Sequence, residues 1–350
     1  MRKTPMALSI PFLLCVLAHA ASFDCTKAKT AQEKAICGTP ALSAADDQMA
    51  AAYKAWLAAA PPDWAAGIRE NQIVWLRFRD ASCPAADANS PIAACLSDIY
   101  KERIQDLQGM VQHFASVTFV SQAITLTARD TPDSAPPAGA SEVTPGFGTL
   151  QASWPQAISA TPQWAAWNSA IVPAVTQAAN ADETTSAHDW NGLVQPGVDR
   201  SLAVTIDRAN AQWVSVFIDD LNDGHGAHPT ENSAEFYWML GAQCALKPED
   251  VFLPNSGWDA WMEKQLDSYL HKALDAQSSG NYQTWFPQGG APKELQGLVT
   301  NPGDWKLEPA GFSIFFQPYQ VACYACTPDP MTIPWSDLKP YLQPSFILPK

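Results

Sequence analysis

The hydrophobic pattern of the sequence changes its period near residue 115. Before this point apolar residues recur at spacings of three and four, as Met49, Tyr53 and Trp56 do, which places them on one face of a helix. Beyond it, segments such as residues 201–206 alternate apolar and polar positions, a pattern typical of strands. The change predicts an α+β protein with two domains: a small all-α domain at residues 21–112 and a larger α+β domain at residues 117–350, whose sheet is mostly antiparallel.

Proline and glycine divide each domain into predicted elements. In the first, a helix opens at Pro40 and ends at Pro61, because proline lacks the amide proton that a continuing helix needs. Two further helices are predicted at residues 63–80 and 92–112. In the second domain, helices are predicted at residues 164–179 and 257–276, and a long loop at residues 131–148. The predicted strands are residues 117–120, 123–126, 201–206, 212–218, 236–240, 244–246 and 311–321.

The first twenty residues (1–20) have the composition of a signal peptide. Arg2 and Lys3 precede an apolar run at residues 6–17, and Ala18 and Ala20 supply the small residues of a cleavage site. The run is too short for a membrane helix, which needs about 20 residues. We therefore expect cleavage after Ala20, a periplasmic or secreted protein, and no membrane insertion after the signal is removed.

The net charge of the chain restricts its partners. The sequence has 35 acidic and 21 basic side chains; without Arg2 and Lys3 the formal charge is 19 − 35 = −16. So acidic a chain does not neutralise phosphates, and we expect no nucleic-acid partner. It is attracted to a cationic protein, although the same charge also serves solubility alone.

Seven cysteines follow the predicted cleavage site, and an oxidising compartment favours disulfides over zinc. Four of them form an even set before residue 100, and the other three cannot all pair among themselves. A bond within Cys323-x-x-Cys326 or from Cys244 to one member of that pair leaves one thiol over. A redox role is disfavoured, because Pro328 and Pro330 follow the motif where a thioredoxin-like site continues into a helix.

The densest polar cluster is residues 219–229, which include Asp223, His225 and His228. Acidic oxygens before a glycine can hold Ca²⁺, and paired histidines can bind a transition metal. However, the segment lacks the bidentate Glu of an EF-hand, and its histidines lie beside glycines rather than on a helix face. A turn whose Asp and Asn side chains bond their own backbone is more economical, so we predict no metal and no cofactor.

Catalytic motifs are missing from the sequence: it contains no G-x-S-x-G, no H-E-x-x-H and no phosphate-binding glycine loop. Glu33 and Asp46 are expected to cap a helix or to pair with Arg79 or Arg103 rather than to hydrolyse a glycoside. We predict that the protein is not an enzyme. Its 14 Trp residues suit a binding surface, although most are expected to pack in the core.

The helical domain carries a specific set of residues in which four cysteines stand in register with polar and aromatic positions: Cys25, Thr30, Glu33, Cys37, Leu42, Asp46, Tyr53, Gln72, Trp75, Leu76, Arg79, Cys83, Cys95, Leu96, Tyr100, Arg103 and Ile104. This set resembles the N-terminal domain family of the lysozyme inhibitor LprI over nearly all of residues 22–110. The resemblance implies a helical domain stapled by disulfides, with the pairs Cys25–Cys37 and Cys83–Cys95 favoured.

The second domain has its own distinctive residues: Trp154-Pro155-Gln156, Trp167-Asn168, Gly226-Ala227-His228-Pro229, Leu246 with Asp250-Val251-Phe252, Gly311-Phe312, Phe315-Phe316, Pro318-Tyr319, Val321-Ala322 and Ile333-Pro334-Trp335-Ser336-Asp337-Leu338. They resemble the extracellular domain of RsiV, an anti-sigma factor that senses lysozyme by binding it. Cys323-Tyr324-Ala325-Cys326 departs from that pattern, and no sigma-binding segment is present. The resemblance implies a partner-binding role for His228 and its surroundings.

Both resemblances imply a partner of the lysozyme or related muramidase type. The expected function is an exported envelope protein that binds and inhibits such peptidoglycan hydrolases, with Asp223, His225, His228, Pro318 and Tyr319 as binding residues. The alternative is a peptidoglycan-binding or envelope-scaffolding module without inhibitory activity. Fold families host many functions, so the site must decide between them.

Overall fold

The computed structural model describes residues 21–83, 91–114, 117–129, 147–159, 161–179, 190–224, 226, 228–277, 281–286 and 292–349. The helices are α1 (Ala31–Gly38), α2 (Pro40–Ala59), α3 (Ala65–Ser82), α4 (Ile92–Gly109), α5 (Pro162–Ala179), α6 (Pro248–Val251), α7 (Trp258–Asp275), α8 (Tyr282–Trp285), α9 (Pro292–Thr300) and α10 (Trp335–Leu338). The strands are β1 (Val111–Phe114), β2 (Val117–Arg129), β3 (Phe147–Ala157), β4 (Asp199–Ala209), β5 (Trp213–Asp223), β6 (Thr230–Met239), β7 (Cys244–Ala245), β8 (Trp305–Glu308), β9 (Gly311–Ile314) and β10 (Met331–Pro334). The fold is α+β, as the sequence predicts.

The chain divides into two compact units. The described residues up to Ala55 together with Val74–Gln108 form the first unit, and Trp56–Ile73 together with Gly109–Lys350 form the second. The tip of the α2–α3 hairpin is therefore part of the second unit. There the Trp56 indole N–H donates to the Ser121 carbonyl of β2 at 2.7 Å. Gly67 lies so close to β2 that an added Cβ would stand 2.1 Å from the Ala123 carbonyl oxygen, which requires glycine at this position.

Two disulfides and a buried chain of hydrogen bonds from Arg79 through Tyr100 to Asp46 stabilise the first unit. The bonds join Cys25 to Cys37 and Cys83 to Cys95, as the LprI resemblance favoured. Each closes a short loop, and such a crosslink stabilises a small domain by about 3 kcal/mol. The interior is formed by large apolar side chains on facing helices, namely Ile36, Leu42, Met49, Trp75, Leu96 and Tyr100.

The second unit is built on a seven-stranded sheet in the order β1-β2-β3-β4-β5-β6-β7. All neighbours are antiparallel except β3 and β4, which are parallel and have α5 between them in the chain. Parallel neighbours need such a crossover, whereas antiparallel neighbours need only a turn. A smaller antiparallel sheet has the order β10-β9-β8. None of the described helices is both long enough and apolar enough to span a membrane.

Both faces of β5 contribute to hydrophobic cores. Val214, Val216 and Ile218 of β5 belong to a core that includes Trp167 and Ile171 of α5. Trp213 of β5 belongs instead to a second core, with Met262, Leu266, Leu270 of α7 and Trp305, Phe312 of the small sheet. Because side chains alternate across a strand, one strand feeds both cores.

Several predicted elements differ from the observed ones. The helix predicted at residues 92–112 is α4, which ends at Gly109. Because β1 begins at Val111, the predicted end at residue 112 is wrong. The two short strands at residues 117–126 are one strand, β2. β3 was not predicted, and it includes residues 147–148 of the predicted loop, whose residues 131–146 lie outside the described ones. The predicted strand at residues 311–321 stops at Ile314, where its pairing with β8 and β10 ends. Further along, Pro318 lacks a donor and Tyr319 has a φ of +66°, so neither continues a strand.

The acidic segment that begins at residue 219, which the sequence predicts to be a turn, begins instead as part of a strand. Residues 219–223 are the end of β5; all of them pair with β4, and residues 219–222 also pair with β6. Asp220 is buried and accepts from Arg200 Nε at 2.7 Å, and Arg200 Nη2 also donates to the Ala179 carbonyl at the end of α5 at 2.6 Å. The buried Asp220 carboxylate thus has a cation as its partner. The bond from Arg200 to Ala179 joins α5 to the sheet.

We predict that Asp220→Ala lowers the free energy of unfolding by roughly 3–5 kcal/mol, because it leaves the buried Arg200 guanidinium without its counter-ion. The double variant Arg200→Met/Asp220→Leu is expected to recover most of this loss, since it leaves no buried charge. Urea unfolding followed by tryptophan fluorescence measures both. A double variant less stable than Asp220→Ala would contradict this account of the pair.

Candidate functional site

Three aromatic side chains from two distant parts of the second unit meet at the surface. The His228 ring stacks on Tyr324 with 4.5 Å between centroids and on Tyr319 with 6.3 Å. His228 Nε2 lies 3.2 Å from the Tyr319 hydroxyl, and His228 Nδ1 lies 2.9 Å from the Pro229 carbonyl. We call His228, Tyr319 and Tyr324 the aromatic cluster. The structure thus brings together His228 and Tyr319, both singled out from the sequence, with Pro318 adjacent to Tyr319.

The backbone holds Tyr319 outward. Its φ of +66° is left-handed, which is uncommon for a bulky residue, and its side chain is 60% exposed. On either side of it, the Gln317 N–H donates to Gln320 Oε1 at 2.8 Å and the Gln320 N–H donates to the Gln317 carbonyl at 3.1 Å. Strained backbone that is fixed by its neighbours is found preferentially at functional sites.

Tyr324 is held by a disulfide. Cys323 and Cys326 are bonded to each other, which is one of the two alternatives left open by the sequence, and Cys244 is the free thiol. Between them Tyr324 begins a single 3₁₀ turn closed by the Cys326 N–H on the Cys323 carbonyl at 2.9 Å. The element that follows the motif is the strand β10 rather than a long helix. The disulfide closes the short turn that carries the Tyr324 ring.

The remaining sequence-predicted residues are placed differently. Asp223 is the last residue of β5, opposite Asp199 of β4. His225 lies outside the described residues. Within the part of the chain that the structure describes, no group of three or more His, Cys, Asp or Glu side chains is arranged to hold a metal ion.

Glu235 is a buried carboxyl that the sequence reasoning missed. Its side chain is 3% exposed, and neither carboxyl oxygen has a hydrogen-bond partner within the described residues. Burial, and next the nearby Asp207, raise the pKa of Glu235 to about 9, while Lys306 and Arg208 oppose the shift. A protonated, neutral side chain is therefore the form that the fold accommodates. The signal in the sequence is a lone Glu in the apolar stretch 234–240.

A pocket of about 590 Å³ lies beside Glu235 at the edge of β6. Its walls come from the C-terminal end of α5, from β6 and β7, from the turn before β8 and from the loop that carries Tyr319. We call it the edge pocket; its lining residues are Ala174, Gln177, Ala178, Ala179, Ile218, Asn232, Ser233, Ala234, Glu235, Phe236, Tyr237, Ala245, Leu246, Asn301, Pro302, Gly303, Asp304, Gln317 and Gln320. Burial raises the pKa of Asp304, one of its carboxyls, to about 6.

The acidic residues of the first unit have structural partners. Glu33 closes a capping box at the start of α1 with Thr30, so the helix-capping interpretation is confirmed. Asp46 accepts from the Tyr100 hydroxyl at 2.8 Å, and Tyr100 in turn accepts from Arg79 Nη1 at 3.0 Å. Asp46 is thus linked to Arg79 through Tyr100 rather than by the direct pair that the sequence suggested. Burial, followed by the charge of Asp46, raises the pKa of Tyr100.

Comparison with known families identifies two segments of the chain. Residues 25–107 match the family described as lysozyme inhibitor LprI, which confirms the resemblance of the helical part. Residues 249–336 match DUF3298, a family described as a protein of unknown function. The second match lies within the part that resembles the RsiV extracellular domain, and its description assigns no activity. The chain therefore contains one segment that matches the LprI family and another that matches DUF3298.

Solved structures of the DUF3298 family are similar to this chain at low identity. One, from Bacteroides fragilis NCTC 9343, is 13% identical, with a TM-score of 0.43, and the match covers 65% of this chain and 94% of that one. Another, from Pseudomonas aeruginosa PAO1, is 12% identical, with a TM-score of 0.40, and the match covers 66% of this chain and 97% of that one. No curated protein matches the chain.

We predict that Glu235→Gln stabilises the protein at alkaline pH. The folded-state pKa of about 9 lies above the ordinary Glu value of 4.5, so the native protein loses stability as pH rises between these values. At pH ~8 the variant is expected to gain roughly 2–5 kcal/mol in free energy of unfolding, and below pH ~4.5 the difference should vanish. Denaturant unfolding at several pH values measures this. If the free energies of unfolding of the two proteins changed in parallel with pH, the prediction would be contradicted. The control is Glu231→Gln, at an exposed position of β6.

Proposed function

We propose that this protein is exported to the cell envelope and there binds and inhibits lysozyme-type peptidoglycan hydrolases. The observation that carries the proposal is the match of residues 25–107 to a family described as lysozyme inhibitor LprI. The two disulfides of that segment suit the oxidising compartment outside the cytoplasm. The N-terminal residues 1–20, with their signal-peptide composition, are consistent with the same location.

The aromatic cluster is our candidate for the main contact with the enzyme. Tyr319 presents an exposed ring on a backbone fixed by Gln317 and Gln320, so little conformational entropy is lost when it is buried. Tyrosine is enriched among the residues that dominate binding energy. A ring inserted into the substrate cleft of a muramidase would exclude the glycan.

Charge supports the choice of partner. Without residues 1–20 the chain carries a formal charge of −16, and a basic lysozyme is attracted to such a surface. The alternative function, a non-inhibitory module that binds peptidoglycan or organises the envelope, does not need this attraction. Sedimentation with insoluble wall material separates the two: inhibition requires binding to the enzyme, and the alternative requires binding to the wall alone.

We predict that the mature protein at micromolar concentration protects cell walls from at least one c-, g- or i-type lysozyme in a turbidity assay. Tyr319→Asn is expected to weaken this inhibition at least tenfold, because it removes the ring while asparagine tolerates a left-handed backbone. Ile347→Asn, at an exposed apolar position elsewhere in the second unit, is the control. Protection against none of the enzymes would overturn the proposed function.

A third variant tests which unit makes the contact. Phe78 of α3 is 53% exposed in the first unit, comparable to Tyr319 in the second. If Tyr319→Asn still inhibits and Phe78→Asn does not, the proposed inhibitory function stands, and the contact with the enzyme is assigned to the helical unit. This outcome would be evidence against the aromatic cluster as the binding site.

We also predict a salt dependence of the complex. With an acidic inhibitor and a basic enzyme, co-elution on gel filtration is expected at ~0.1 M NaCl and to weaken at ~1 M, where the Debye length falls from about 10 Å to about 3 Å. Retention of the complex at high salt would mean that apolar contacts, rather than charge, hold it. Chromatography of each protein alone at both salt concentrations is the control.

A further inference from the structure

The edge pocket lies beside the stretch of the β6 edge between Ser233 and Tyr237. β6 pairs with β7 only at Trp238 and Met239. Further along the same edge, the Ser233 N–H donates to Gln317 Oε1 at 2.7 Å, and Gln317 Nε2 donates back to the Ser233 carbonyl. The Tyr237 carbonyl accepts from the Leu246 N–H at 2.9 Å. Ser233 and Tyr237 thus both direct their peptide groups away from β5.

Glu235 lies midway between these two residues. Peptide groups point to alternate sides along a strand, so every second residue directs its N–H and C=O to the same side. The N–H and C=O of Glu235 therefore point to the open edge, where Glu235 lines the pocket. Its residue exposure of 3% means that only a small area around this donor and acceptor is open, which suits a single compact group. Buried peptide groups are costly unless a partner bonds them.

The open part of the β6 edge between Ser233 and Tyr237 is too short to pair with an added strand. Strand addition bonds several successive edge residues, but the Gln317 side chain occupies the edge at Ser233 and Leu246 occupies it at Tyr237. Between Ser233 and Tyr237, only Glu235 directs its peptide groups to this edge. A compact ligand with a donor and an acceptor side by side fits this opening, whereas an extended peptide does not.

The pocket walls define the ligand further. Ala174 and Ala178 lie one turn apart on α5 and give an apolar wall. Asn232, Asn301, Asp304 and Gln320 provide amide and carboxyl groups opposite, with Asn301 Nδ2 donating to Asp304 Oδ2 at 2.8 Å. Among the described lining residues there is no Lys, Arg or His. The volume of about 590 Å³ falls within the range of about 300–1,000 Å³ that is typical of small-molecule pockets.

We propose that the edge pocket binds a neutral saccharide that carries an acetamido group next to a free hydroxyl. The acetamido N–H donates to the Glu235 carbonyl, and the neighbouring hydroxyl accepts from the Glu235 N–H. The acetyl methyl packs on Ala174 and Ala178, and the remaining hydroxyls bond the amides opposite. The site is separate from lysozyme binding and does not depend on it.

Calorimetric titration of the full protein with N,N′-diacetylchitobiose tests the proposal, with cellobiose as the matched disaccharide that has hydroxyls in place of both acetamido groups. We expect diacetylchitobiose to bind at least tenfold more tightly, because a site built to bond a group rejects the analogue that lacks it. Equal affinities, or no binding of diacetylchitobiose at millimolar concentration, would overturn the proposal. Tighter binding of a capped acetyl-dialanine peptide would overturn it in favour of a peptide ligand.

Variants on α5 place the ligand in the pocket. Ala174→Phe fills the pocket from a half-buried position and is expected to abolish binding, whereas Ala165→Phe, at an exposed position of the same helix, should leave it unchanged. Thermal unfolding of each variant checks its fold. If Ala174→Phe does not fold, Gln177→Trp at the exposed rim replaces it, with the same expected loss. Unchanged binding in a folded pocket variant would overturn the assignment, and so would a loss of binding in a folded Ala165→Phe variant.

Discussion

Strands β5 and β6 contribute side chains to a core on each of their faces, and this burial limits the polar groups in the middle of the larger unit. One face packs on α5 and the other on α7 and the small sheet, so water is excluded from both sides. Polar atoms placed there need a protein partner or must give up their charge. Asp220 has Arg200 as its partner. Glu235 has no such partner among the described residues, and its raised pKa is the consequence.

The same constraint explains the edge of β6. An open strand edge beside a hydrophobic core exposes unpaired peptide groups, and proteins close such edges with loops, short strands or side chains. Here the short β7 closes one end and the Gln317 amide closes the other. The loop that supplies Gln317 also carries Tyr319 to the surface. One loop therefore forms both the wall of the edge pocket and the exposed part of the aromatic cluster.

Local signals in the sequence were sufficient for the helical elements. Spacings of three and four located α2, α3, α5 and α7 closely, because each helix buries one face along its length. Strands were less predictable. β3 contains Pro155, which argues against a strand in sequence, but β4 pairs only with residues 149–153, so that proline lies beyond the paired part on that side. The end of β5 is acidic and resembles a turn in sequence, because no local signal shows that Arg200 of β4 bonds Asp220.

The candidate site was predicted in part for the same reason. His228 and Tyr319 were named from their motifs, but the structure alone joins them to Tyr324, since 91 residues separate His228 from Tyr319 along the chain. Periodicity and cysteine spacing, which are local, determined the α+β class, the helical first part and the even set of four cysteines. Tertiary packing decided which acidic residues are buried, which strand edge stays open and where the rings meet, because each depends on partners distant in sequence.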